Sequence, residues 1–274
     1  MAVDRSRRSC VLCDAGFSGR TFLCRNCADR YRGHPVPVAV RQQFYEAVDR
    51  AYPDYSNTYG HYNDAQGLLS YARRLPRQSR ILEIGAGGGF TLIALRDLGF
   101  RRTFGLDLTA TTLEAMRQRL NGTPLVAADA EELPFADGSF DTVLSSDLIE
   151  HLPNLDRHLA SVARVLRPGG CYLIKTPNRL MAEAYYRARG LYDAYFWHPS
   201  MSSSGELRAR LELHGFDCEF LPTPRLTEAQ SRKIPVRQLR PLASRIPVGW
   251  LPPLVRPHLE VVARKGLGAR DGAR

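Results

Sequence analysis

The chain has 274 residues, 44% of them hydrophobic and 24% charged, and a net charge of +10. That size supports one large domain plus a small appendage, and the composition is that of a globular chain rather than a disordered or fibrous one. No apolar run approaches the roughly 20 residues of a membrane-spanning helix. The basic start, MAVDRSRRSCVLC, has no apolar stretch behind it, so neither a span nor a secretory leader is expected and the expected location is cytoplasmic.

The positive charge sits in the two ends. Residues 1–34 hold seven Arg against three Asp, and residues 222–274 hold eleven basic against three acidic residues. Basic ends suit nucleic acid, an anionic membrane surface or a phosphorylated substrate, and equally a solvated surface.

Residues 1–34 read as a metal module. Cys10, Cys13, Cys24 and Cys27 stand as C-x2-C-x10-C-x2-C, two knuckles that predict a structural zinc site with no open coordination position. About 30 residues cannot bury a stabilising core unaided, which is why a metal is needed. Cys171 and Cys218 fall in predicted strands and read as core thiols. Residues 35–79 read as a helical segment preceding the sheet, and its SNTYGHYN stretch offers Tyr59, His61 and Tyr62 as pocket residues.

From residue 80 to 264 strands and helices alternate. The predicted strands are 80–86, 103–108, 124–130, 140–148, 170–178 and 217–222, with HLEVVARK as a last strand. The predicted helices follow Phe90 and span 109–120, 155–166 and 204–216, and Thr109 with Thr112 offers hydroxyl caps to the second. Near-continuous apolar strands alternating with helices predict an α/β fold, a doubly wound and mostly parallel sheet covered on both faces. Ligands in such sheets bind beyond the C-terminal ends of the strands.

The first of these strands runs into a glycine turn, ILEIGAGGGF. A dinucleotide fingerprint would carry its last glycine where Phe90 stands, and a phosphate loop would need a lysine; neither fits. Carboxylates at the strand ends fit better. Glu83 precedes the turn, Asp107 ends the second strand and is placed to accept ribose hydroxyls, and Asp129 ends the third, where it can accept an adenine amine while Ala130 offers its N–H. That is a site for an adenosine without phosphate, with room at Gly85, Gly87 and Gly89 for an amino-acid tail.

LEIGAGGG, GLDL, AADAEELPFADGSFDTV, RVLRPGG and TPN together resemble the class I S-adenosylmethionine-dependent methyltransferases, of the type 11 kind. The resemblance is dense over about 80–180 and looser to 264. It implies a seven-stranded Rossmann-like methyltransferase fold with HLEVVARK antiparallel. It implies S-adenosylmethionine as cofactor, with Glu83 and the glycines on its amine side, Asp107 and Leu108 on the ribose, and Asp129 and Ala130 on the adenine.

Chemistry is expected after the fourth strand, in SSDLIEHLPN. His151 is a candidate general base, and Asp147, Glu150 and His151 would share one face if a helical turn began at Asp147. Such a face is also half of a divalent-metal site. Ubiquinone-pathway O-methyltransferases and small-RNA 2′-O-methyltransferases look similar here, with E-x-x-E-H, and His198 in YFWHP would supply a further ligand for Mg or Mn. Asp147 departs from that pattern, being a residue shorter than Glu. Residues 179–203 read as a cap over the acceptor. Some ribosomal-RNA methyltransferases and some deoxysugar C-methyltransferases carry an N-terminal zinc knuckle, so the module admits an RNA partner as well as a small-molecule one.

The last part, a proline- and arginine-rich insert at 222–257, cannot form one long helix, and suits either an anionic membrane surface or packing on the domain edge. Residues 265–274 read as a disordered tail. The reading as a whole is a methyltransferase acting on a hydroxyl of a small molecule, sugar or glycan. Its rivals are RNA methylation and a non-catalytic binding module.

Overall fold

The structure is a computed structural model that describes residues 8–18, 20–32, 34–51, 66–120, 122–222 and 251–267. Tyr59, His61 and Tyr62, most of the proline–arginine segment and the end of the tail lie outside the described residues.

Two short strands, β1 (Arg8–Ser9) and β2 (Gly16–Phe17), pair as an antiparallel hairpin, followed by helix α1 (Arg25–Arg30). Helices α2 (Val38–Ala51) and α3 (Gln66–Ala72) lead to the sheet. Then come β3 (Ile81–Ile84), α4 (Phe90–Asp97), β4 (Thr103–Asp107), α5 (Ala110–Arg119), β5 (Leu125–Ala127) and β6 (Phe140–Ser146). Next are α6 (Leu155–Val165), β7 (Leu166–Pro177), α7 (Arg179–Arg189) and the single-turn α8 (Ala194–Trp197). The fold closes with α9 (Ser204–Leu213), β8 (Phe216–Phe220) and β9 (His258–Lys265).

The large sheet has seven strands in the order β5-β4-β3-β6-β7-β9-β8. Strands β3 to β7 are mutually parallel, and β9 runs antiparallel between β7 and β8. This is the expected doubly wound methyltransferase sheet, with HLEVVARK as its antiparallel strand.

Local sequence explains these elements. All four residues of β3, Ile-Leu-Glu-Ile, are buried, as a central strand covered on both faces requires. In α6, Leu155, Leu159 and Val162 recur at helical spacing and are buried, and the Asn154 side chain caps the helix by accepting the Arg157 N–H. Each such buried aliphatic side chain contributes about 1.5–3 kcal/mol. The α9 start carries a reciprocal capping box between Ser203 and Glu206. At α5 the structure departs from expectation. Thr109 occupies the cap position, but its hydroxyl donates to the Thr112 hydroxyl at 2.6 Å, and Thr112 in turn donates to Asp49 of α2. The pair therefore ties two helices together rather than capping one.

Candidate active site

The parallel register brings the ends of β3, β4, β5, β6 and β7 to one edge of the sheet. Beside β3 the turn folds back, with Gly85 and Ala86 donating to the Leu106 carbonyl. Two glycines there do different work. Gly87 has a left-handed backbone (φ 49°) and faces open space where a side chain would be, while its N–H donates to Asp107 Oδ2 at 3.0 Å. Gly89 also has a positive φ, but a Cβ there would stand 2.7 Å from Leu120 and 2.8 Å from Met116. It lets α4 pack on α5.

The three strand-end carboxylates are differently held. Asp107 accepts the N–H groups of Gly87 and Thr109, which pull its carboxyl back toward ionisation while burial pushes it up. Glu83 is buried, and burial pushes it up to about 8 against the pull of the Thr91 hydroxyl and the Leu92 amide. Its Oε2 has no hydrogen-bond partner, an expensive state for a carboxylate oxygen unless a ligand answers it. Asp129 accepts the Glu131 N–H on one oxygen and Arg41 of α2 on the other, at 3.0 and 2.9 Å. Ala130 is buried, and its carbonyl accepts from His158 Nδ1; His158 Nε2 accepts from Tyr172. Carboxylate acceptors near the strand ends thus stand beside open space at Gly87 and an unanswered carboxylate oxygen by the turn. These residues fit S-adenosylmethionine.

The segment after β6 corrects one expectation. No helical turn begins at Asp147, which has a left-handed backbone (φ 53°), and a short 3-10 turn covers only Ile149–His151. Asp147 leaves the shared face and forms an ion pair with the buried Lys175. The residues that do gather are Glu150, His151 and His198, whose ligating atoms lie within 4.8 Å of one another. Glu150 is fully buried; Thr176 donates to its Oε2 at 2.9 Å, and its Oε1 has no partner. Burial, with Asp147 nearby, pushes it up to about 8.

His151 sits under the cap. Its Nδ1 is 2.5 Å from the Trp197 carbonyl and 2.9 Å from the Tyr45 hydroxyl. A carbonyl only accepts, so Nδ1 carries the proton and Nε2 keeps the lone pair. Burial pushes the ring down to about 4, outweighing the Trp197 carbonyl and Asp147, so His151 is neutral near pH 7. His198 packs against it with ring centroids 4.4 Å apart, and its Nδ1 is 2.6 Å from the Tyr186 hydroxyl.

Near the start of the chain, Cys10, Cys13, Cys24 and Cys27 bring their sulfurs within 4.8 Å of one another and form no disulfide. Cys13 and Cys24 Sγ are 3.7 Å apart, close to the edge of about 3.8 Å implied by four sulfurs about 2.3 Å from a tetrahedral zinc. Burial pushes the Cys10 thiol up, but the amides of Cys24, Leu12 and Cys13 outweigh it and bring it down to about 7. The residues fit a zinc ion.

The sequence reading missed Arg41, Tyr45, Lys175 and Asp193, whose partners lie 28 to 171 residues away. It also missed His158, although that residue sits on the apolar face of α6 beside Leu155, Leu159 and Val162, a signal of burial that was available.

Comparison with known proteins agrees with this geometry. Residues 82–174 match the family described as "Methyltransferase domain". The chain is 34% identical over 139 residues to a protein of Mycolicibacterium smegmatis named "Probable S-adenosylmethionine-dependent methyltransferase", covering 51% of this chain and 52% of the relative. It is 36% identical over 135 residues to a fatty-acid O-methyltransferase of the same organism, covering 46% and 43%. The chain spans about half the length of the curated relatives it matches. In fold it is similar to the complex between the Haloferax volcanii Trm112 methyltransferase activator and a methyltransferase, with a TM-score of 0.59, 19% identity, and coverage of 79% of this chain and 96% of that one. Residues 82–174 are thus similar in sequence to a methyltransferase domain, and the seven-stranded sheet has the Rossmann-like methyltransferase fold.

Proposed function

We propose that the protein transfers a methyl group from S-adenosylmethionine to an oxygen of a small-molecule acceptor, with His151 as the base. The observation that carries this reading is the neutral, half-buried His151, its Nε2 lone pair free for an acceptor proton, on the same sheet edge as Glu83, Asp107 and Asp129. The cofactor supplies a methyl group on a sulfonium, poised for in-line displacement. Holding the acceptor in line can contribute about 7–11 kcal/mol, and a positioned base about 10²–10⁴-fold more. A base pushed down to about 4 is weak toward a free hydroxyl. An oxygen that is gaining a methyl becomes strongly acidic, so His151 takes its proton late in the transfer.

An oxygen acceptor is supported by the relative named for fatty-acid O-methylation. A partly apolar acceptor is supported by the exposed Leu180 and Met181 at the start of α7 and the exposed Leu254 and Val255 near it in the turn before β9; a sugar or glycan acceptor uses the same His151 chemistry. Glu83 with Gly85, Gly87 and Gly89 would face the amine side, Asp107 and Leu108 the ribose, and Asp129 and Ala130 the adenine. The segment 35–79 would close over the cofactor through α2, whose Arg41, Tyr45 and Asp49 reach Asp129, His151 and Thr112. Cys10, Cys13, Cys24 and Cys27 would hold a structural zinc.

A second reading rests on the unpartnered Glu150 Oε1. Glu150, His151 and His198 would bind a divalent cation, and two imidazoles with one carboxylate suit Mn better than Mg. His151 then ligates instead of taking a proton.

The test is label transfer from methyl-labelled S-adenosylmethionine into a host extract, split into RNA, lipid-soluble and polar fractions. Label in the lipid or polar fraction is expected, with any loss on EDTA restored by zinc alone. Ribonuclease-sensitive label would assign the activity to RNA, and EDTA-sensitive label restored by Mn would select the metal reading. No transfer, together with no thermal shift on adding millimolar S-adenosylhomocysteine, would leave a binding module.

A further inference from the structure

The cysteine module is not a detached appendage. Its α1 and the loop before it share one apolar core with α2 and α8: Leu23, Ala28, Phe44, Val48, Phe196 and Trp197 are buried together. At the seam stands Asp193, fully buried, one residue before α8. Its Oδ2 accepts two backbone N–H groups of the module, Phe22 at 2.8 Å and Leu23 at 3.1 Å. On either side Tyr192 donates to the Leu23 carbonyl at 2.8 Å, and Tyr195 donates to that of Ala28.

Two of the module's arginines face the same seam. Arg25 lies 4.8 Å from the ring centroid of Tyr192, and Arg32 lies 4.5 Å from that of Tyr195. Phe22 meets Trp197 edge-on at 6.1 Å. Trp197 ends α8, and its carbonyl is the acceptor that fixes the proton of His151 on Nδ1. The connection from the cysteines to His151 is therefore a continuous set of buried and part-buried contacts.

We infer that the cysteine module works inside the enzyme, as the clamp that holds the acceptor-side cap: Asp193 is a positioning residue through which the module sets Trp197 against His151. The inference rests on the reading of His151 as the residue facing the acceptor. Both backbone N–H groups converge on one carboxylate oxygen, so an asparagine can supply that oxygen and an alanine cannot. Displacing a catalytic group by about 1 Å can cost on the order of 10²-fold in rate.

The experiment uses the zinc-loaded full chain in a Trp250→Phe background, which leaves Trp197 as the one indole. Asp193→Ala, Asp193→Asn and the double variant Tyr192→Phe/Tyr195→Phe are compared for bound zinc, S-adenosylhomocysteine affinity, acrylamide quenching of Trp197 and methyl-label transfer. Asp193→Ala is expected to keep one zinc per chain and cofactor affinity within about twofold, to become more quenchable at Trp197, and to lose at least about tenfold in transfer, as a displaced catalytic group would. Asp193→Asn is expected to restore both quenching and transfer, and the double tyrosine variant to show a smaller change in the same direction.

Unchanged quenching in Asp193→Ala would overturn the clamp, as would equal damage in the alanine and asparagine variants. If the alanine variant does not fold, the tyrosine pair decides by the same quenching criterion. Absence of transfer in the parent protein counts against the methyl-transfer reading alone, and the quenching data still judge the clamp.

Discussion

The two sides of the candidate site are built in opposite ways. The cofactor side is assembled mostly from strand ends and the turns that follow them, so Gly87 and Asp107 meet across 20 residues and Asp129 holds Glu131 two residues on, with Arg41 reaching Asp129 from α2. The acceptor side is assembled from segments far apart in the chain. Tyr45 reaches His151 across 106 residues, and Phe22 reaches Asp193 across 171. A site half local and half long-range can keep its cofactor chemistry while its acceptor is changed by altering the cap and the module. The predictions below separate the two sides.

The largest effect is expected from the acceptor side. His151→Ala should lower methyl transfer by about 10²–10⁴-fold, the range for a positioned base, while S-adenosylhomocysteine affinity, measured by calorimetry, stays within about twofold because no cofactor-side hydrogen bond is removed. Asp107→Ala should do the reverse. It deletes two hydrogen bonds to the glycine turn and the start of α5 together with the proposed ribose acceptor. At about 1.5–3 kcal/mol per hydrogen bond to a charged group, S-adenosylhomocysteine should bind at least about 30-fold more weakly. If each variant loses both functions equally, the division into two sides fails.

That division also explains what was legible in the sequence. The parallel strands followed from apolar runs and stop signals and the antiparallel β9 from the family resemblance, while Glu83, Asp107 and Asp129 stood out as candidates by their places near strand ends. Strand bounds ran a residue or more too long at β3 and β5, because burial patterns fade gradually where strands end. Asp147 was misplaced for a stereochemical reason. Its spacing to Glu150 and His151 suits a helix, but a positive φ at Asp147 and the ion pair with Lys175 of β7 take it off that face. Arg41 shows the limit plainly. In the sequence it is one of 38 basic residues, and only the fold brings it, buried, to 2.9 Å from Asp129.

The cysteine module offers a middle-sized test. The zinc-loaded chain should contain one zinc by elemental analysis, and Cys27→Ser should lower that content. Removing the metal should lower the thermal midpoint by several degrees, since about 1 kcal/mol shifts a domain of 150–250 residues by roughly 2–4 °C. The damage should concentrate on the acceptor side, read as faster amide exchange in 191–198, while amides of β3 and β4 stay protected. Uniform acceleration would mean that the module supports the whole domain, not the cap.

The smallest expected effect is a pH dependence from Glu83. Its ordinary value is 4.5, and burial pushes it up to about 8 in the folded protein. Between those values the folded chain keeps a proton that the unfolded chain has lost, so stability falls as pH rises, by at most about 1.4 kcal/mol per pH unit from this group. Below 4.5 both states are protonated and no further stability is gained. Glu83→Gln is neutral in both states, so its thermal midpoint should gain on the parent between pH 6 and 8.5. The shifted histidines do not mask this, because His151 and His158 are pushed down to about 4 and their effect ends near pH 6.5. Adding S-adenosylhomocysteine then decides what Glu83 does. If it only ties β3 to Thr91 and Leu92, glutamine can make those bonds and the ligand should stabilise both proteins equally. If its unpartnered Oε2 answers the cofactor's amine side, the parent should gain more from the ligand than the variant, and most of all above pH 7, where the ligand's positive charge favours the ionised carboxylate that the empty site resists.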